Sequence, residues 1–336
     1  MTYPLPLIGN LPSGQSNHIS DVSGVRVGHC TLDEGKQQTG VSVILPADGN
    51  LFLQKIPAAA TIINGFGKSM GLMQLQELGQ LETPIALTNT FAVPAVAQAQ
   101  IEQAIQDTPE IGRTLSTINP LVLECNDGYL NDLQAFAIKP QHYQSALHDA
   151  KQNNLAQGSI GAGRGMSCFG FKGGIGSASR LIDDFVVGAM VLANFGREHQ
   201  AQLAGYRLKD KALCAEPDKG SIIMIIATDA PLDTRQLRRL SMRAAAGLAR
   251  TGSNYGHGSG DISLAFSTAY RISHLEKEQS ALPMFVHESR LDALFDAAAE
   301  AVEQSIIKAL WTAETVHGRD GHIRENIVPF LHQSAF

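Results

Sequence analysis

Two runs in this 336-residue chain are apolar almost without interruption: Phe185-Val-Val-Gly-Ala-Met-Val-Leu-Ala193 and Ile222-Ile-Met-Ile-Ile-Ala227. Both are β-branched and apolar enough to be buried strands, so whatever the chain folds into must cover them. The covering material is visible downstream. Asp233 can cap a helix running to about Ala249, with Leu237, Leu240, Ala244 and Leu248 on one face. A second helix is predicted from about Leu291 to Thr312, where Leu291, Leu294, Phe295, Ala298, Val302, Ile306 and Leu310 recur every three to four residues. Val93 to Asp107, rich in Ala and Gln, has the same helical spacing. Val25–Thr31 and Gly40–Pro46 read as strands joined by a polar hairpin, and Ala58–Asn64 and Ile262–Thr268 as two more strands. Helices packed outside apolar strands define a layered α/β architecture. No break in composition divides the chain, so one domain over 1–336 is expected.

Composition excludes several classes of function. The net charge is −6 and no basic run reaches five residues, which argues against nucleic acid as a partner. No apolar stretch approaches the ~18 residues needed to span a membrane, and the first thirty residues lack the pattern of a signal peptide. The cysteines Cys30, Cys125, Cys168 and Cys214 are isolated and read as reduced thiols of a cytoplasmic protein. No cofactor or metal motif survives inspection. Gly65-Phe-Gly-Lys-Ser69 lacks the first glycine of a phosphate loop, and His317 and His322 are too isolated to argue for a metal.

The chemistry concentrates in Leu248-Ala-Arg-Thr-Gly-Ser-Asn-Tyr-Gly-His-Gly-Ser-Gly-Asp261, between the end of a helix and the start of a strand. A serine hydroxyl can attack the carbonyl just before it and replace the Gly252–Ser253 amide by an ester. Glycine at 252 best reaches the φ/ψ that this requires. Hydrolysis then leaves Ser253 with a free α-amine of pKa ~7.7–8.0, a base held by its own covalent attachment. Residue types alone leave a flexible-loop reading open, since Gly–Ser pairs are common turn material. No GxSxG elbow precedes Ser253, so a Ser-His-Asp hydrolase with His257 is not indicated.

Arg250-Thr-Gly-Ser253, Gly258-Ser-Gly-Asp261 and Ala265-Phe-Ser-Thr268, in this order, resemble the autoprocessing segment of the DmpA-type L-aminopeptidase/D-esterase family. That family includes β-peptidyl aminopeptidases and, more distantly, nylon-oligomer hydrolases. The likeness continues through Asp21–His29, Ile63–Lys68, Leu87–Thr90, Glu124–Asn131, Gly161–Gly163, Phe171–Gly176, Leu192–Gly196 and Ala227–Ala230.

The resemblance implies a four-layer αββα sandwich of the DmpA type, similar to N-terminal-nucleophile hydrolases. It implies an α-chain 1–252, a β-chain 253–336, and a homo-oligomer of such processed pairs. The implied activity is release of N-terminal residues from peptides, amides or esters through an acyl-enzyme on Ser253. By the same resemblance Asn194 is the oxyanion-hole asparagine, Tyr129 a tyrosine near the active site, and Lys172 an active-site lysine of the nylon-hydrolase branch. Two residues supporting the Ser253 amine are expected about forty positions on. A return strand Met284–Ser289 ending near Ser253 would make them Glu288 and Ser289. The family's Thr-Glu-Glu run is replaced here by Val302, Glu303 and Gln304, and no residue for the substrate ammonium stands out. The alternatives are an uncleaved small-molecule-binding protein of the same fold and an endo-acting amidase. The kept Gly252–Ser253 pair speaks against the first.

Overall fold

The computed structural model describes residues 3–208, 220–278 and 281–333; of the residues read above, Cys214 lies outside them. In chain order the main strands are β1 (Arg26–Glu34), β2 (Gln37–Leu45), β3 (Gln54–Gly65), β4 (Ile85–Asn89), β5 (Leu121–Cys125), β6 (Gly174–Ile182), β7 (Phe185–Asn194), β8 (Ser221–Thr228) and β9 (Gly260–Ser267). The main helices are α1 (Val93–Asp107), α2 (Pro140–His148), α3 (Thr234–Met242), α4 (Ala244–Arg250) and α5 (Leu291–Trp311).

One sheet has the order β1-β2-β4-β5, with β4 and β5 parallel. The other runs β3-β9-β8-β7-β6, with β8 and β9 parallel and the remaining neighbours antiparallel. The alternation of side chains along β8 shows how the layers stack. Ile222, Met224 and Ile226 face Leu237, Leu240, Leu294, Ala298 and Val302 of the helices. Ile223 and Ile225 point the other way, onto Ile44, Leu87 and Leu123 of the first sheet. On that sheet's far face Val41, Val43 and Ala86 meet Val96 and Ala97 of α1 and Tyr143 and Ala146 of α2. The result is the expected αββα sandwich. Its central strands have no polar face because a hydrophobic layer covers each side. Helix α5 lies so close on β6 that a Cβ at Gly176 would stand 1.8 Å from the Ser305 carbonyl oxygen.

Sequence periodicity located both ends of α1 and placed α5 to within one residue. Two expectations require correction. The helix from Asp233 does not run unbroken to Ala249; it divides at Arg243 into α3 and α4. The Ser241 carbonyl there takes the Ser263 hydroxyl of β9 as its donor, and Arg243 N–H closes on Leu240 O, the tighter i−3 spacing. Asp233 caps α3 as expected, accepting the Gln236 N–H at 2.7 Å. The second correction is that Met284–His287 form no strand. Val286 N–H reaches Pro231 O, and Glu288–Arg290 make a 3₁₀ turn that leads into α5.

Cys30 and Cys125 are free thiols, and Cys125 and Cys168 are buried. No helix among the described residues is long and apolar enough to cross a membrane.

His29 of β1 is enclosed by the first sheet and the Gly161 turn, with Nδ1 2.8 Å from Ser42 Oγ. Desolvation lowers its pKa to about 4, the nearby Asp149 opposing only in part. Its folded pKa lies below the unfolded one, so its contribution to stability is present above pH ~6.5 and is lost as pH falls through about 4. We expect chemical denaturation at pH 7 and pH 4 to record a loss on the order of 2–3 kcal/mol from this group. His29→Gln should flatten that part of the profile.

Candidate active site

β7 ends, and β8 and β9 begin, at the edge where β3 also ends, because Asn194 pairs with Ser221, Ile222 with Asp261, and Gly260 with Gly65. The first sheet adds the carboxyl ends of its parallel strands β4 and β5 to the same edge, since Asn194 Nδ2 donates to the Asn126 carbonyl at 3.0 Å. Parallel strand ends are where layered α/β folds present loops for chemistry.

The Gly252–Ser253 junction enters this edge from the end of α4. Gly252 has φ +103°, and a Cβ there would sit 1.8 Å from the Gln200 carbonyl oxygen. The segment before it is pinned, with Thr251 buried and its carbonyl accepting the Gln202 N–H at 2.8 Å. The segment after it is pinned as well. Ser253 Oγ accepts the Tyr255 N–H at 3.2 Å, and the Tyr255 hydroxyl donates to Ala245 O at 2.6 Å. Tyr255 itself has φ +51°, a strained conformation for a bulky residue. Asn64 Nδ2 donates to the carbonyls of Gly256 and Ser259, both at 2.7 Å, and ties the loop to the end of β3. Ser259 Oγ then bonds buried Asp261 at 2.5 Å. The junction is therefore no slack Gly–Ser loop. Gly252→Ala places a methyl on the Gln200 carbonyl in a region of φ closed to L-residues. We expect a loss of at least ~1–3 kcal/mol in thermal unfolding and slower chain scission on mass spectrometry.

Asn194 is buried, and its amide has a fixed sense. Oδ1 accepts the Ser167 N–H at 2.8 Å, so the nitrogen must face the other way, towards Asn126 O. Because Nδ2 carries two protons, one remains for a further acceptor.

Tyr129 joins this cluster. Its ring stacks on His322, with centroids 4.5 Å apart at 12°, and the Arg324 guanidinium lies 3.5 Å over it. Arg324 Nε donates to Ser167 Oγ at 3.1 Å, which links the stack to Asn194.

Lys172 is fully buried. Nζ donates to the carbonyls of Gly163, Met166 and Gly173 at 2.8–2.9 Å. Burial pushes its pKa well down, Arg164 adding to the effect and Asp127 opposing it. A side chain committed to three carbonyls anchors the loop whose Ser167 orients Asn194. The Asp127 carboxyl, fully buried nearby, is raised to about 7 by desolvation, against hydrogen bonds from Thr39 and Asn131.

Glu288 and Ser289 are placed elsewhere. Glu288 bonds Arg239 at 2.7 Å and Gln236 at 3.1 Å and also pairs with Arg235, all on α3. The hydrogen bond from Arg235 is the main cause holding its carboxyl below its ordinary pKa. Ser289 bonds His287 within the turn. Both lie at the start of α3, while Ser253 follows the far end of α4. Glu303, by contrast, is half-buried 3.6 Å from Arg250, three residues before Ser253. Burial raises its pKa, with Arg250 opposing.

Glu124 at the end of β5 has no role assigned from sequence, although it opens the family-like segment Glu124–Asn131. The residue is buried, with Oε1 accepting the Lys68 N–H at 2.7 Å and Oε2 the Thr90 hydroxyl. A Cβ on Gly67 would touch Oε1 at 3.5 Å and one on Gly260 would reach Gly67, so the carboxylate sits just behind the start of β9. It forms no ion pair among the described residues. A motif read along the chain cannot show that a carboxylate lacks a counter-charge.

Four layers with a serine junction and an amide donor on one sheet edge define a hydrolase of the N-terminal-nucleophile fold. The chain belongs to peptidase family S58, whose family model matches residues 17–324. It is similar to the β-peptidyl aminopeptidase BapA of Sphingosinicella xenopeptidilytica, 35% identical over 91% of this chain and 83% of the relative. Among solved structures, a β-aminopeptidase from a Burkholderia species is 40% identical with a TM-score of 0.86, covering 95% of this chain and 93% of the other. The L-aminopeptidase D-Ala-esterase/amidase of Ochrobactrum anthropi, described as a prototype for the serine aminopeptidases within the Ntn hydrolase fold, is 30% identical with a TM-score of 0.86, covering 99% and 94%. The expected family, fold and hydrolase class therefore hold, and the class is that of a serine aminopeptidase.

Proposed function

We propose that the chain cuts itself between Gly252 and Ser253 and then uses Ser253 to release N-terminal residues from peptides, amides or esters, including β-amino acyl groups. The junction itself carries this reading. It combines a glycine at φ +103° wedged against a carbonyl, a serine hydroxyl just after it, and an amide donor on the same sheet edge. Cleavage yields an α-chain 1–252 and a β-chain 253–336. The freed amine of Ser253 takes the proton of its own hydroxyl as the acyl-enzyme forms. The unclaimed N–H of Asn194 donates to the tetrahedral oxyanion, with Tyr129 and Arg324 flanking it and Lys172 holding its supporting loop. Glu124, a carboxylate with no cation beside it among the described residues, receives the substrate ammonium and so restricts the enzyme to free N-termini.

We further assign several processed pairs to one assembly in the cytoplasm, which fits the absence of a spanning helix among the described residues. Glu288 and Ser289 have no part in this scheme. Intact-mass spectrometry of the purified wild type tests it. Two species dividing after residue 252 are expected, whereas a single chain of 336 residues would favour an uncleaved binding protein.

A further inference from the structure

A cavity of about 260 Å³ opens beside this edge, between the start of α1 and the turn Leu133–Ala135. Its walls include Phe91, Ala92, Ala95, Leu133, Phe136 and Ile138. Two features set it apart from a packing defect. Phe91 and Phe136 stack at 5.9 Å and 14° while remaining 48% and 57% exposed, an unusual disposition for two large apolar rings. Phe136 also holds φ +45°, which no bulky side chain adopts without strain. The fold thus keeps an aromatic ring in the open at a conformational cost.

The cavity reaches the proposed chemistry from two sides. Phe91 follows Thr90, whose hydroxyl bonds Glu124. Leu133 lies against Gly128, where a Cβ would meet Leu133 Cδ1 at 2.8 Å and Asn126 Oδ1 at 2.9 Å. The Asn126 carbonyl in turn touches Asn194. An amino group on Glu124 and a carbonyl at Asn194 would therefore bracket a residue whose side chain has this apolar hollow beside it. The volume falls below the ~300–1,000 Å³ of pockets that hold whole drug-sized ligands and suits a single side chain.

We infer that the Phe91–Phe136 cavity receives the side chain of the substrate's N-terminal residue and selects large apolar groups, aliphatic or aromatic, over small ones. This rests on the aminopeptidase reading and adds its substrate class. One buried methylene in such a pocket is worth about 10- to 200-fold in kcat/KM, so discrimination between leucine and alanine should be large.

The test uses the full-length protein with p-nitroanilides of leucine, phenylalanine and alanine, in both the α- and β-amino series. Ala95→Phe fills the hollow from α1, and Phe136→Gly removes one wall while relieving the strained φ. Intact mass reports processing, and size-exclusion chromatography with light scattering reports assembly. The expected result is normal scission in both variants, with the leucine-to-alanine ratio of kcat/KM falling at least tenfold. An unchanged ratio in processed variants overturns the inference and leaves the aminopeptidase reading intact. A change confined to the mass of the assembly overturns it too and gives this face to contact between copies. Wild-type protein that splits none of the amides overturns the inference together with the reading beneath it.

Discussion

Ser253→Ala should leave one uncut chain of 336 residues and no measurable turnover. The same oxygen is asked to do two things. In the proposed scheme it attacks the Gly252 carbonyl once, and afterwards it attacks each substrate. Alanine has no hydroxyl for either step and never exposes the α-amine that serves as the base. Loss of a serine nucleophile costs on the order of 10⁴–10⁶-fold in kcat, and here the loss compounds with failed processing. Ser253→Cys separates the two roles, since a thiol can still carry an N-to-S shift. The decisive comparison is intact mass against amide hydrolysis on the same preparations. Scission in the alanine variant would move the nucleophile elsewhere in the chain.

Asn194→Ala is expected to process slowly and to lose roughly 100- to 1000-fold in kcat, or about 2.7–4 kcal/mol of transition-state stabilisation. The reasoning is geometric. With Oδ1 committed to Ser167 and one Nδ2 proton to Asn126, the remaining proton has a fixed direction and needs no reorganisation when charge develops. KM should move little, because the oxyanion exists only beyond the ground state. A variant in which KM rises and kcat holds would turn Asn194 into a substrate-binding group. Asn194→Asp is the sharper control: it keeps the shape, but its carboxylate repels both the oxyanion and the Asn126 carbonyl.

The sequence disclosed those parts of the molecule whose determinants are local or periodic. The apolar faces of α1 and α5 repeat along the chain, and β7 and β8 have no polar face to confuse, so their positions follow from burial alone. The Gly252–Ser253 pair stands out in the sequence because the chemistry proposed for it needs only adjacency along the chain. The break at Arg243 does not, because it depends on Ser263 of a strand twenty residues away in sequence offering a hydroxyl to a helix carbonyl. Met284–Ser289 misled because its few apolar residues were read as a strand, while Val286 finds its backbone partner in Pro231. That error carried Glu288 and Ser289 to the wrong end of the α3–α4 pair. Arg324 and Glu124 needed the fold before they meant anything. The first reaches Tyr129 across almost two hundred residues, and the second is notable for having no cation beside it among the described residues.

The parallel pairing of β8 with β9 places the two sides of the 252–253 bond in adjacent strands of one sheet, beneath helices drawn from both sides of it. A cut there removes no hydrogen bond of that ladder. The unfolded state registers it fully. One molecule becomes two, and recovery after denaturation changes from a first-order event to an encounter between partners, whose yield depends on concentration. If the chain is cut as proposed, refolding becomes a second-order event for the processed pair where the uncut chain refolds alone.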